Sequence, residues 1–89
     1  MPEILFHQSF KRAYKKAVSA GSDREHRFRR ALEMFALDPF DPKLRTHKLK
    51  GKLNSYWAFS VEYDLRIVFY FEVDGSAVLF DIGSHDEVY

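Results

Sequence analysis

The sequence contains no cysteine, which excludes disulfides, a thiolate nucleophile and cysteine-ligated zinc. Only four glycines and three prolines occur among its 89 residues. They form no glycine-rich phosphate loop, dinucleotide fingerprint, nucleophile elbow or flexible linker. Uncharged apolar runs fall far short of the roughly 20 residues that cross a bilayer, and the opening Met1-Pro2-Glu3 does not begin a secretory signal. A cytoplasmic location with no membrane partner is therefore expected. The four histidines show no His-Glu-x-x-His spacing, so no metal site is expected and no cofactor.

What the chain does have is apolar bulk. Nine Phe, five Tyr and one Trp, within a hydrophobic content of 46%, supply a core without staples for one domain over residues 1–89. The formal net charge of +1 hides a division along the chain. Residues 1–52 hold 13 basic and 6 acidic side chains, whereas residues 53–89 hold 1 and 7. Segregation of this kind either presents a basic face to phosphates or sets a basic helical layer against an acidic sheet. Charge alone leaves both readings open.

Periodicity orders the elements. Glu3 to Phe6 reads as a short opening strand, after which Phe10, Ala13, Tyr14, Ala17 and Val18 recur at helical spacing opposite Lys11, Arg12, Lys15 and Lys16. Gly21 ends that helix, and Ser22-Asp23-Arg24-Glu25 has the capping-box spacing that starts another. Phe28, Ala31, Leu32 and Phe35 mark the second buried stripe, and Asp38-Pro39 with Asp41-Pro42 stops it. Strand texture follows at Thr46 to Lys50, Trp57 to Glu62, Leu65 to Glu72 and Ala77 to Ile82, with turns at Gly51 and Asp74-Gly75. The expected fold class is α+β, a strand and two-helix hairpin packed on a mainly antiparallel twisted sheet.

Several residues carry chemistry. Arg66 is the only basic side chain after Lys52 and sits in the most apolar strand, on the face of Val68 and Tyr70. Half-buried arginines are commonly paired, here with Asp64 or Glu62; the alternative is that its planar fork holds a phosphate. His85 and Tyr89 would share one side of a terminal helical turn, suiting proton transfer and base stacking; otherwise they belong to an exposed terminus. His47 lies among lysines in Thr46-His47-Lys48-Leu49-Lys50-Gly51-Lys52, as a phosphate contact or an ordinary strand residue. His7 and His26 have no partner at a telling spacing and read as structural or surface residues.

The run His47-Lys48-Leu49-Lys50-Gly51-Lys52-Leu53, then Tyr56-Trp57, Asp64-Leu65-Arg66-Ile67-Val68-Phe69 and Ile82-Gly83-Ser84-His85-Asp86-Glu87-Val88-Tyr89 resembles the RelE/ParE superfamily of bacterial toxins. Within it, the chain is most similar to the YafQ-like branch of messenger-RNA interferases. The resemblance implies a type II toxin, held inactive in a hetero-oligomer with a cognate antitoxin, that enters the ribosome and cuts messenger RNA without a metal. Attack of a ribose 2′-hydroxyl on the adjacent phosphate needs a base, an acid and positive charge. By resemblance, His85 matches the C-terminal catalytic histidine, His47 the histidine opening the Leu-x-Gly strand, and Asp64 the acid before the central strand. Arg66 matches the arginine that steadies the phosphate, and Tyr89 the terminal aromatic that holds RNA. Lys48, Lys50 and Lys52 are candidate phosphate contacts. The chain departs from close members at Ser60, where they carry a further histidine. The same superfamily contains ParE-like poisons of DNA topoisomerases, which generally lack the C-terminal histidine set, so fold alone does not fix the activity.

Overall fold

In a computed structural model, which describes residues 2–84, the elements follow the expected order. They are β1 (Ile4–Phe6), α1 (Gln8–Ala17), α2 (Asp23–Leu37), β2 (His47–Lys48), β3 (Trp57–Glu62), β4 (Leu65–Phe71) and β5 (Ala77–Gly83). Short 3-10 turns at Pro42–Leu44 and Gly51–Leu53 flank β2. That strand is shorter than its texture suggests, because Leu49 is buried against Ala58 and Val68 and the chain then turns at Gly51.

Each helix begins where the side chains can satisfy its orphan amides. At α1, His7 accepts from the Ser9 amide, while Lys15 and Lys16 complement the dipole in the last turn. Ser22 Oγ accepts from the Glu25 amide at 3.1 Å. The return bond of the capping box is displaced by one residue, since Glu25 Oε1 accepts from the Gly21 amide at 3.0 Å. Gly21, at φ 77°, supplies the left-handed backbone that reverses the chain between the helices.

The sheet order is β1-β5-β4-β3-β2. Three pairings are antiparallel, and β1 alone runs parallel to β5. The helical hairpin makes that possible by carrying the chain away from β1 before the meander begins. The main core fills the space between helices and sheet, with Phe35, Phe59 and Phe69 fully buried. The Phe35 ring stacks on Phe59 at 4.5 Å and meets Phe69 edge-on at 4.9 Å, geometries worth about 0.5–1.5 kcal/mol per pair beyond area burial.

Simple alternation puts Val78, Phe80 and Ile82 on one face of β5. The structure separates them. Val68 pairs with Asp81 but Phe69 pairs with Leu79, so Phe80 is the extra residue of a bulge. Ile82 consequently joins Leu79 in the main core, while Phe80 packs at 5.3 Å from Tyr56 on the face turned away from the helices. That open face also holds the smaller cluster of Leu49, Ala58 and Val68.

Candidate active site

Strand alternation sends Ile67 and Phe69 into the helix-side core and leaves Arg66, Val68 and Tyr70 on the open face. Across the neighbouring strands Arg66 is directly opposite Ser60 and Gly83, and one row along lie Ala58, Val68 and Asp81 with His47 beyond Ala58. His47 and Arg66 therefore share a face, two strands and two residues apart, roughly 12 Å between backbones from sheet spacings. The His47 Nδ1–H donates to the Arg45 carbonyl at 3.0 Å, which leaves Nε2 as the nitrogen with the lone pair in the neutral ring.

By sequence, Arg66 has two acidic neighbours that could neutralise it. Neither does. Glu62 lies 3.6 Å from Arg24 and 3.5 Å from Arg27, reaching toward the helices. The register shift between Ser60 and Glu62 explains this, because it breaks the alternation that would have put Glu62 beside Arg66. Asp64 sits exposed in the tight turn between β3 and β4. Among the described residues, no carboxylate forms an ion pair with Arg66, and its side chain remains half-buried.

Two clefts flank the β3–β4 hairpin. One, of about 310 Å³, is lined by Lys43, Arg45, Ser60, Glu62, Tyr63 and Arg66. The other, of about 480 Å³, lies toward α1 and includes Lys16, Arg24, Asp64, Asp81 and Ser84. Arg66 and Asp64 thus open into different clefts. The lysine candidates are also divided: Lys48 pairs with Trp57 and faces the helix side, opposite to His47, while Lys50 and Lys52 are exposed around the Gly51–Leu53 turn. None of the three lines the Arg66 cleft. His85 and Tyr89 lie outside the described residues. Lys43, Arg45 and Tyr63 did not stand out in the sequence; the only signal was the basic excess before residue 53, which does not say which cations converge.

The strand order and the helical hairpin recur in known proteins. Residues 2–89 match the family model described as the bacterial toxin of the type II toxin-antitoxin system, YafQ. The chain belongs to the YafQ toxin family. Its fold is similar to that of the copper-bound mutant toxin from Helicobacter pylori, with a TM-score of 0.76 and 26% identity over 100% of both chains. YafQ from E. coli strain BL21(DE3) gives a TM-score of 0.80 at 15% identity, covering 100% of this chain and 99% of that one. The E. coli DinJ-YafQ complex gives 0.75 at 16% identity, again over 100% and 99%. No curated protein matches the chain in sequence. Family and fold agree with the RelE/ParE-like, YafQ-branch resemblance, and the α+β class is as expected. Among the described residues, no helix is long and apolar enough to cross a membrane.

Proposed function

We propose that this YafQ-family toxin is a ribosome-dependent endoribonuclease that cuts messenger RNA in the cytoplasm by metal-independent acid–base chemistry. The observation that carries the reading is Arg66, a half-buried cation without a carboxylate partner among the described residues, on the same open face as His47. A structural arginine at that depth is ordinarily neutralised; one left uncompensated suits an anionic ligand. In the proposed step the 2′-oxygen attacks the adjacent phosphorus as its proton passes to a base. The bond from phosphorus to the 5′-oxygen breaks as an acid protonates that oxygen, leaving a 2′,3′-cyclic phosphate and a 5′-hydroxyl. Arg66 stabilises the charge that builds on the phosphoryl oxygens.

His85 shares proton transfer with His47 in this reading, in preference to Asp64, which opens into the other cleft, and Tyr89 positions a base. Lys48, Lys50 and Lys52 add phosphate contacts outside the Arg66 cleft. A cognate antitoxin holds the toxin inactive as a hetero-oligomer, a reading supported by the similarity to YafQ in its complex with DinJ.

The test is 5′-end mapping of a messenger RNA incubated with purified protein, with and without 70S ribosomes, beside Arg66→Ala and His85→Ala. Ribosome-dependent cuts that disappear in both variants are expected. Growth arrest without cuts under either condition would overturn the nuclease reading in favour of a topoisomerase poison.

A further inference from the structure

The Arg66 cleft contains more than one anion-seeking group. Lys43 and Arg45 line it beside Arg66, and among the described residues none of the three forms an ion pair. The one carboxylate in the lining, Glu62, is matched by Arg24 and Arg27. The cleft thus carries uncompensated positive charge while the chain as a whole is near neutral. At its rim stands Tyr63, 95% exposed at the tip of the β3–β4 turn. A large aromatic with no apolar shelter is costly to leave in water, but it offers a flat surface to a stacking base.

The segment that presents Lys43 and Arg45 is held in place rather than loose. Asp41 accepts from the Lys43 amide at 2.9 Å, Leu44 is buried between the two cations at 2% exposure, and the Thr46 hydroxyl donates to the Pro39 carbonyl. Arg45 itself adopts a left-handed backbone, φ 54°. Its carbonyl accepts from His47, so the same residue that lines the cleft also orients the imidazole. A backbone fixed before binding loses less entropy when a ligand arrives.

We propose that Lys43, Arg45 and Tyr63 form, next to Arg66, a subsite for single-stranded RNA. The two cations hold phosphates that flank the one at Arg66, and the Tyr63 ring stacks on a base. The subsite deepens the proposed nuclease reading and rests on it for the identity of the ligand. A pocket for an acidic peptide would also use the cations and could cover the Tyr63 ring. What favours RNA is that the three groups adjoin Arg66, the cation assigned to the reacting phosphate, and antitoxin binding is the alternative that the test separates.

The experiment measures binding of a short, end-labelled, fully 2′-O-methylated RNA to the full chain by fluorescence anisotropy at 50–200 mM salt. Methylation blocks the nucleophile, so cutting does not enter. Lys43→Gln with Arg45→Gln is expected to weaken binding about tenfold or more and to flatten the log–log salt slope by about 1.4, near 0.7 for each phosphate no longer neutralised. The left-handed backbone costs glutamine no more than arginine, so folding is preserved. Tyr63→Ala should weaken binding about tenfold with the slope intact, and Tyr63→Phe should bind as the parent does. Lys11→Gln with Lys15→Gln, which removes equal charge from α1, should change little. No RNA binding by the parent, equal weakening by both double variants, or unchanged RNA binding with abolished antitoxin binding by the Lys43–Arg45 variant would each overturn the subsite. Binding that depends on the cleft in a protein that cuts nothing on ribosomes would instead overturn the nuclease reading and leave the subsite standing.

Discussion

The carboxylate of Glu62 lies 3.5 Å from the guanidinium of Arg27, joining the end of β3 to α2. This pair, together with Arg24 at 3.6 Å, draws Glu62 away from Arg66. The consequence is a difference among the arginines: Arg24 and Arg27 on α2 share the carboxylate of Glu62 on the sheet, and Arg66 on β4 has no carboxylate partner among the described residues. Electrostatics in the Arg66 cleft therefore depends on two α2 arginines outside its lining, which match the one carboxylate within it.

Arg66 is expected to trade stability against activity. Arg66→Ala should lower ribosome-dependent cleavage by about 10²–10³-fold, the scale for losing a preorganised charge at a reacting oxyanion. Arg66→Lys should recover part of it, since the point charge remains while the fork is absent. Because no carboxylate among the described residues is orphaned by the change, the melting temperature should hold or rise. Single-turnover cleavage and thermal melting measure the two effects. A fall of several degrees with full activity would return Arg66 to a structural role.

The core prediction concerns Phe35, which is fully buried and touches both Phe59 and Phe69. Phe35→Ala should cost about 3–5 kcal/mol, transfer and cavity combined, a large part of the roughly 5–15 kcal/mol typical of a domain. Phe35→Leu should cost less because it leaves a smaller void. Urea denaturation of both variants gives the comparison. A destabilisation below about 1 kcal/mol for the alanine variant would contradict the packing described.

Much of the architecture was legible because it is written in periods of 3.6 and 2. Phe28, Ala31 and Phe35 marked α2 without ambiguity, and the Asp74-Gly75 turn placed β4 and β5. Residues whose position depends on a break in those periods were harder. The bulge at Phe80 moves Ile82 into the main core, and the register shift before Glu62 removes the partner that Arg66 was expected to have. Neither has a composition signal, since both arise from how two strands fit together. The parallel pairing of β1 with β5 likewise comes from a crossover rather than from a local turn. Arg66 could be singled out by its isolation in an apolar strand. The convergence of Lys43, Arg45 and Tyr63 on it requires the fold, because they come from segments well separated along the chain.

Two groups give the protein a pH signature away from the candidate site. Asp74 has its carboxyl pKa lowered, first by the hydrogen bond from the Ser76 amide at 2.9 Å and then by the Ser76 side chain. A depressed folded pKa means that the turn contributes stability above the ordinary aspartate value and loses it as pH falls through the lower folded one. Tyr14 has its pKa raised, chiefly by burial and then by the nearby Glu25 charge. Its effect is opposite in direction: stability is intact below the ordinary tyrosine pKa and falls away as pH rises toward the folded value. Carboxyl-carbon NMR should find Asp74 titrating below an unstructured aspartate, with Asp74→Ala flattening the acid limb of the stability profile. Ultraviolet titration of Tyr14→Phe should show one late-ionising tyrosine fewer. A midpoint for Asp74 at or above the ordinary value would contradict the turn geometry.

The hydrogen bond from His47 Nδ1 to the Arg45 carbonyl fixes the ring atom through which His47 can exchange a proton. A carbonyl only accepts, so the ring keeps a proton on Nδ1, and in the neutral form its basic lone pair is on Nε2. That tautomer makes Nε2 the atom that exchanges a proton in either direction, and in the proposed reaction His47 takes the 2′-hydroxyl proton there while the acid protonates the departing oxygen. His47→Ala should therefore slow cleavage about 10²–10⁴-fold. Replacing the bridging 5′-oxygen of the substrate with sulfur should not rescue it, because a thiolate leaves without an acid and the missing group is the base. The same substrate should rescue the variant that lacks the acid, for which His85→Ala is the candidate. Rescue of His47→Ala instead would exchange the two roles and would show that the Arg45 carbonyl orients a proton donor.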